Sequence, residues 1–121
     1  MENSIIDEKE LTSAIENAQN GPANFIFNFK KPVNYNGNLI KSLSFDFDKL
    51  TGKDAHDIED EVQSRYGKSV IVPALSSEYL RIMAVKACKE QIGSDLFDTI
   101  SIKDYNSILG RARSFLLQSE S

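Results

Sequence analysis

Residues 24–47 carry the pattern of a β-hairpin, and this pattern constrains the fold of the chain more than any other feature. Apolar side chains alternate along the first strand, at Phe25, Phe27 and Phe29. Asn36-Gly37 is the preferred pair for a type I′ turn because both positions need a positive φ. The return strand alternates in the same way, at Leu39, Leu43, Phe45 and Phe47. Since a two-stranded hairpin is not stable alone in water, its aromatic face must pack on helices.

Pro32 interrupts the hydrogen-bonding pattern of the first strand. Proline has no N–H to donate to a strand ladder, so within sheets it is confined to edge strands, strand starts and bulges. We therefore predict that the first strand lies at an edge of the sheet or bulges at Pro32.

Capping residues mark three helices after the hairpin. Each helix is preceded by a hydroxyl side chain that can accept a backbone N–H of the first turn, at Thr51, Ser76 and Ser101. Gly67 is placed to end the first helix, and the second is predicted to run to about Gln91, before Gly93. The pattern predicts an α+β fold: a small single domain over residues 23–121, with an N-terminal β-hairpin packed on about three α-helices.

Residues 1–22 form an acidic leader ahead of this domain. They hold five acidic side chains against Lys9 alone, a net charge of −4, which equals the net charge of the whole chain. Apolar residues in the range 7–19 fall at helical spacing, and the Asn-Gly-Pro sequence that follows would end such a helix. Because an isolated helix of this length is marginal in water, we predict a flexible leader with an apolar stripe available to a partner. A helix that docks on its own domain is the alternative.

The charge of residues 23–121 balances to zero, which argues against nucleic acid as a partner. Binding of nucleic acid needs clustered Lys and Arg facing the phosphates, and Lys30-Lys31 is too short a cluster. No apolar run approaches the roughly 18 residues that a membrane span needs. The N-terminus also lacks the pattern of a signal peptide. We therefore predict a cytoplasmic protein with neither nucleic acid nor membrane as a partner.

Residues that could carry catalysis or hold a metal are scarce. Cys88 is the only cysteine, so the chain can form neither an intrachain disulfide nor a cysteine metal site. His56 is the only histidine, whereas zinc sites use three or four strong ligands. The chain has no nucleophile elbow, and its six glycines stand singly, without a phosphate-binding loop. We predict a protein that is not an enzyme and that uses no cofactor or metal.

Three apolar segments are candidates for contact with a partner. Residues 70–72 form a β-branched run before Pro73 that would be an extra strand, a buried connector or part of a contact surface. The second helix is apolar nearly all round, which is typical of a central core helix or of a helix covered by another chain. The central core helix is favoured, and the other interpretation implies a homo-oligomer. The candidate partner-binding residues are Val70, Ile71, Val72, Tyr79, Ile82, Met83, Phe115, Leu116 and Leu117.

Short motifs follow one another in order over about residues 24–117. They are Lys31-Pro32, Asn36-Gly37, Leu50 to Asp54, Pro73, Leu75, Ser77, Tyr79-Leu80, Ala84 to Ala87, Asp104-Tyr105 and Phe115 to Leu117. In this order the chain resembles the tail assembly chaperones of long-tailed bacteriophages and prophages of Gram-positive hosts, the type typified by phage Mu. The stretch around Ile82-Met83 is less alanine-rich than the resemblance implies.

The resemblance implies a non-enzymatic chaperone of the tape measure protein, a long helical partner that is prone to aggregation. Such chaperones cover the tape measure protein until the tail tube subunits polymerise round it, and they are absent from the finished virion. Residence in the host bacterial cytoplasm follows, and the major tail tube protein is a further partner left open. Two other classes remain open at this point: a minor structural or tail completion protein, and a small host-interaction module such as an antitoxin-like regulator.

Overall fold

The computed structural model of the chain describes residues 24–118, and the predicted leader (residues 1–22) lies outside them. Two strands come first, β1 (Asn24–Tyr35) and β2 (Asn38–Asp46). Three α-helices follow, α1 (Gly52–Tyr66), α2 (Ser77–Ala87) and α3 (Ile102–Gln118). Short 3-10 turns lie at Phe47–Lys49, Pro73–Leu75 and Ser94–Asp98. The predicted α+β class, an N-terminal hairpin packed on three helices, is confirmed.

The hairpin is antiparallel and turns where the sequence predicts. Asn36 and Gly37 have φ angles of 51° and 82°, the positive values that a type I′ turn requires. Phe25 of β1 pairs with Phe45 of β2, and their ring centroids lie 5.2 Å apart in a stacked arrangement. The aromatic face of the hairpin is therefore formed by cross-strand pairs, which are the main stabilising unit of a two-stranded sheet.

The register of β1 against β2 breaks between Asn28 and Val33. In this irregularity, residues 29–32 of β1 lie opposite a single residue of β2, Lys41. Pro32 lies within it, so the prediction of a bulge at the residue that lacks an N–H is confirmed.

The prediction that Leu39 faces the core with the rest of its strand is wrong, since its side chain is 64% exposed. The register break shifts the pairing by an odd number of residues, which exchanges the two faces of a strand. Beyond the break, Val33 pairs with Ile40, and this pair packs against the core instead. Tyr35 holds the same end of the hairpin on the body, because its Oη donates a 2.7 Å hydrogen bond to Asp95 Oδ1.

The helix boundaries follow from caps that the sequence contains. Thr51 and Asp54 form a reciprocal capping box at the start of α1, in which Thr51 N–H donates to Asp54 Oδ2 at 2.8 Å. Ser76 Oγ and Ser101 Oγ each accept a first-turn N–H, of α2 and α3 respectively, at 3.1 Å. Gly67 ends α1 with a φ of 65°, a left-handed conformation that costs glycine little.

α2 ends at Ala87, short of the predicted end at Gln91. Cys88 instead forms an isolated antiparallel bridge with Phe45, and Lys89 N–H donates to a β2 carbonyl at 2.8 Å. The chain after Ala87 therefore satisfies the outer edge of β2, and these sheet hydrogen bonds replace the last helical turn that the sequence predicts.

α2 lies at the centre of the core, between the hairpin and the other two helices. The residues that it buries are Tyr79, Leu80, Ile82, Met83, Ala84 and Ala87. Phe47, just after β2, stacks on Phe115 of α3 with ring centroids 5.5 Å apart, and this contact joins the hairpin to the last helix. Among residues 24–118, no helix is long and apolar enough to cross a bilayer.

Candidate partner-binding surface

The connection between α1 and α2 carries the most exposed large apolar side chain of residues 24–118. Ile71 is 89% exposed and Leu75 is 77% exposed, and Val72 between them is also exposed. These three side chains line one depression of about 300 Å³, beside the buried Val62 of α1. Contiguous exposed apolar surface on a soluble domain is typical of a protein-contact site.

Local sequence explains why these side chains point outward. The left-handed Gly67 ends α1, and the chain then runs without regular structure to the 3-10 turn that begins at Pro73. In this turn Leu75 N–H donates to Val72 O at 3.0 Å. The turn buries Ala74, so the side chains on either side of it are left facing solvent.

The C-terminal end of α3 lies against the same turn. Arg113 of α3 donates from Nε to Ala74 O at 2.8 Å, which fixes the turn to the body of the domain. Leu117 is exposed and lies one helical turn further along the same face of α3. Phe115 and Leu116 are half-buried against the core. We define the apolar patch as Ile71, Val72 and Leu75, which line one depression.

The remaining residues predicted to contact a partner do not lie on this surface. Tyr79, Ile82 and Met83 of α2 are at most 3% exposed and belong to the core. Val70 is half-buried and packs against the core, and residues 70–72 form no strand. The burial of α2 on all sides agrees with the central core helix that the sequence favours. In this fold, partner contact through its three residues would require α2 to be uncovered.

Of the three predicted segments, residues 70–72 contribute Ile71 and Val72 to this depression, and Leu117 of the third segment is exposed on α3. Sequence reasoning missed Leu75 as a contact residue and noted it only as part of a motif. Its position directly after Pro73-Ala74 was the available signal, because a short connection between two helices has little core to bury an apolar side chain in.

Charged side chains form a rim at one side of the apolar patch. Lys68 Nζ lies 3.0 Å from Glu78 Oε2, and both residues line the depression. The hydrogen bond from Lys68 is the main reason that the pKa of Glu78 lies below its ordinary value. An apolar centre beside a polar rim is the usual composition of a protein-binding surface.

Acid is expected to weaken the domain partly through Glu78. A carboxylate whose pKa is lower in the folded state stabilises the fold above its unfolded pKa, and this stabilisation is lost as the pH falls through the folded pKa. Below about pH 4.5 we expect the midpoint of urea unfolding to fall less steeply in Glu78→Gln than in the natural chain. Lys68→Met should flatten the profile in the same way, because it removes the donor. If the urea midpoint of both variants fell with pH as steeply as that of the natural chain, the Lys68–Glu78 pair would not be a source of the acid sensitivity.

A second surface lies between β1 and α3, and nothing in the sequence indicated it. It is a groove of about 720 Å³ that runs along residues 27–34 of β1 and residues 99–107 at the start of α3. We call it the β1–α3 groove; its lining includes Phe27, Lys30, Lys31, Val33, Ile100 and Lys103. It shares no lining residue with the depression in the apolar patch.

Cys88 and His56, the two residues whose side chains are most suited to catalysis or metal binding, lie apart from both surfaces. Burial raises the pKa of the Cys88 thiol to about 12, so it stays protonated at neutral pH and is a poor nucleophile. His56 is exposed on α1, with Nε2 3.4 Å from Asp60 Oδ2. In the described part of the chain, no three His, Cys, Asp or Glu side chains are grouped so that they could hold a metal.

Comparison of the chain with protein-family models gives no match, and comparisons with curated proteins and with solved structures give none either. Two things therefore bear on function: the surfaces of this chain, and the order of motifs that resembles the phage chaperones.

Proposed function

We propose that this chain is a non-enzymatic phage tail assembly chaperone that binds a tape measure protein and keeps it soluble while the tail tube polymerises. The observation that carries the proposal is the apolar patch, in which Ile71 and Leu75 project from the connection between α1 and α2, and Arg113 of α3 bonds that connection at Ala74. The order of motifs along residues 24–117 supports the identity of the partner.

The apolar patch suits the apolar stripe of a partner helix. In this mode of recognition, side chains spaced three and four residues apart on the partner helix enter an apolar surface. The depression of about 300 Å³ beside Ile71 and Leu75 offers a place for one such side chain. A shallow contact of this kind is weak when single, and several copies of the chaperone along a long partner would cover its stripe.

The proposal includes where the protein acts. A chaperone of this class works in the host bacterial cytoplasm and leaves before the virion is complete. Mass spectrometry of purified phage particles is expected to find the tape measure protein and the tail tube protein but not this chain. Its presence in particles at the level of a tail subunit would favour the alternative of a structural or tail completion protein.

Substitution of the apolar patch is expected to abolish most capture of the tape measure protein. The chain is co-expressed with the tape measure protein encoded nearest to it, and partner solubility and affinity pull-down are measured. For Ile71→Asp combined with Leu75→Asp we expect at least about a tenfold loss of captured partner, because two charges would be buried against an apolar helix face. Both positions are exposed, so circular dichroism should stay native.

Ile102→Asp is the matched control, since Ile102 is 77% exposed, like Leu75, but lies at the start of α3 outside the apolar patch. It should capture the partner as well as the natural chain does. Equal capture by the patch variant would show that the patch is not the contact surface. A partner that stays insoluble and unbound with the natural chain would refute the proposed function itself.

A further inference from the structure

We infer that the β1–α3 groove binds an extended, acidic segment of a partner protein. In this arrangement the carboxylates of the segment meet the lysines at the groove, and its apolar side chains lie on the groove floor. The inference goes beyond the proposed function, because it concerns a different surface and requires no tape measure protein.

The charge of the groove selects an acidic occupant. Lys30, Lys31 and Lys103 line it, and among the described lining residues Asp104 is the only acidic one. None of the three lysines forms an ion pair with a described residue, whereas Lys53 and Lys68 do. Three positive charges without a partner among residues 24–118, on a domain body of zero net charge, are therefore gathered at one groove. The N-terminus of the 17-residue α3 adds partial positive charge at the same end.

The floor of the groove selects an extended occupant with apolar side chains. Phe27, Val33 and Ile100 are half-buried and line the groove beside the exposed lysines. Successive side chains of an extended peptide point to opposite sides. A segment that alternates acidic and apolar residues would thus place one set on the floor and the other set towards the lysine ammonium groups.

The groove follows the edge of the hairpin that pairs with no other strand among the described residues. Residues 27–28 and 30–34 of β1 line it and no described residue of β2 does, so it runs along the side of β1 that faces away from β2. On the opposite edge of the sheet, Phe45 of β2 bridges to Cys88. Within residues 24–118, no further strand pairs with β1. An open strand edge is a common docking site for extended segments of other proteins.

Lys and Pro on an open edge have a second known role, which is to prevent indiscriminate strand pairing. Pro32 and the register break limit backbone pairing here, so recognition must depend on side chains. A purely protective edge would be expected to face open solvent. This edge instead faces the start of α3, and a groove of about 720 Å³ lies between them. The protective role alone predicts no binding, and this makes the two interpretations separable.

The test uses the full chain and a soluble ten-residue peptide of alternating Glu and Val, labelled with fluorescein for anisotropy. Amide shifts of ¹⁵N-labelled protein locate the contact. We expect shifts confined to residues 27–34 and 99–107. Replacing Lys30, Lys31 and Lys103 together by Glu should weaken binding about tenfold or more, because exposed ion pairs contribute modestly but additively. Raising the salt concentration should weaken it as well.

The control for charge replaces Lys41, Lys49 and Lys89 by Glu, since these exposed lysines lie outside the groove. It changes the net charge equally and should retain binding. The inference would be overturned if the natural chain did not bind the peptide, or if both triple variants lost the same affinity. It would also be overturned if the amide shifts appeared at the apolar patch. Equal affinity for a single-stranded oligothymidine would overturn it too. Tighter binding of a peptide of residues 1–22 in the groove would also overturn it, because the occupant would then be the chain's own leader.

Discussion

Replacing Phe45 by Ala is expected to lower the free energy of unfolding by about 3–5 kcal/mol, the range for truncation of a buried aromatic side chain. Phe45 is fully buried, and its ring stacks between Phe25 at 5.2 Å and Phe47 at 6.1 Å. It also carries the bridge to Cys88, so the cavity would open where the sheet meets the end of α2. Urea unfolding followed by circular dichroism measures the loss.

Ile26→Ala is the matched control for this substitution. Ile26 lies on β1 next to Phe25, but on the opposite, exposed face of the hairpin. Its truncation should change stability by no more than about 0.5 kcal/mol, as is usual for surface positions. A cost below about 1 kcal/mol for Phe45→Ala would mean that the hairpin is not packed on the helices as described. Since small domains have about 5–15 kcal/mol in total, the expected loss is a large fraction of the stability.

The features that the sequence predicts well are those set by neighbouring residues. The type I′ turn depends on two positive φ angles, and Asn36-Gly37 supplies both. The capping box depends on Thr51 and Asp54, three residues apart, and forms as expected. The register break likewise contains Pro32, whose missing N–H is a property of that single residue. Local chemistry therefore places the turn, the helix starts and the break.

The features that the sequence predicts poorly depend on contacts between distant residues. Simple alternation puts Leu39 on the core face, and only the pairing of Val33 with Ile40 shows that the faces exchange beyond the break. Helical pattern extends α2 past Ala87, yet the bridge from Cys88 to β2 competes with the last turn. In both cases a tertiary contact overrides a local conformational preference.

The candidate surfaces divide in the same way. The apolar run before Pro73 marks Ile71 and Val72 as candidates, but from the sequence alone a strand, a buried connector and a contact surface stay equally open. The β1–α3 groove could not be predicted, because Lys30-Lys31 and Lys103 are separated by some seventy residues and share no periodicity. A helix that is apolar nearly all round leaves core and interface indistinguishable, since both need the same side chains. For α2, only the position of the hairpin and the other helices distinguishes the two.

Replacing Ile82 by Arg is therefore expected to unfold the domain rather than to weaken a partner contact alone. Ile82 is 3% exposed on the central helix, and the described residues around it in the core are apolar. An unpaired charge in such a site costs several kcal/mol, comparable to the whole stability of a small domain. Thermal unfolding followed by circular dichroism should show loss of the cooperative transition. Any loss of tape measure capture by this variant would follow from unfolding.

Leu117→Arg is the companion variant, because Leu117 is exposed on α3 one helical turn beyond Arg113, which bonds the Pro73–Leu75 turn. It should keep a cooperative transition within a few degrees of the natural chain, since surface substitutions usually change stability by less than about 0.5 kcal/mol. If it also reduces capture of the tape measure protein, folding and partner contact depend on different residues of one domain. A folded Ile82→Arg variant that no longer captures the partner would reverse this assignment, because it would show that α2 becomes uncovered to bind.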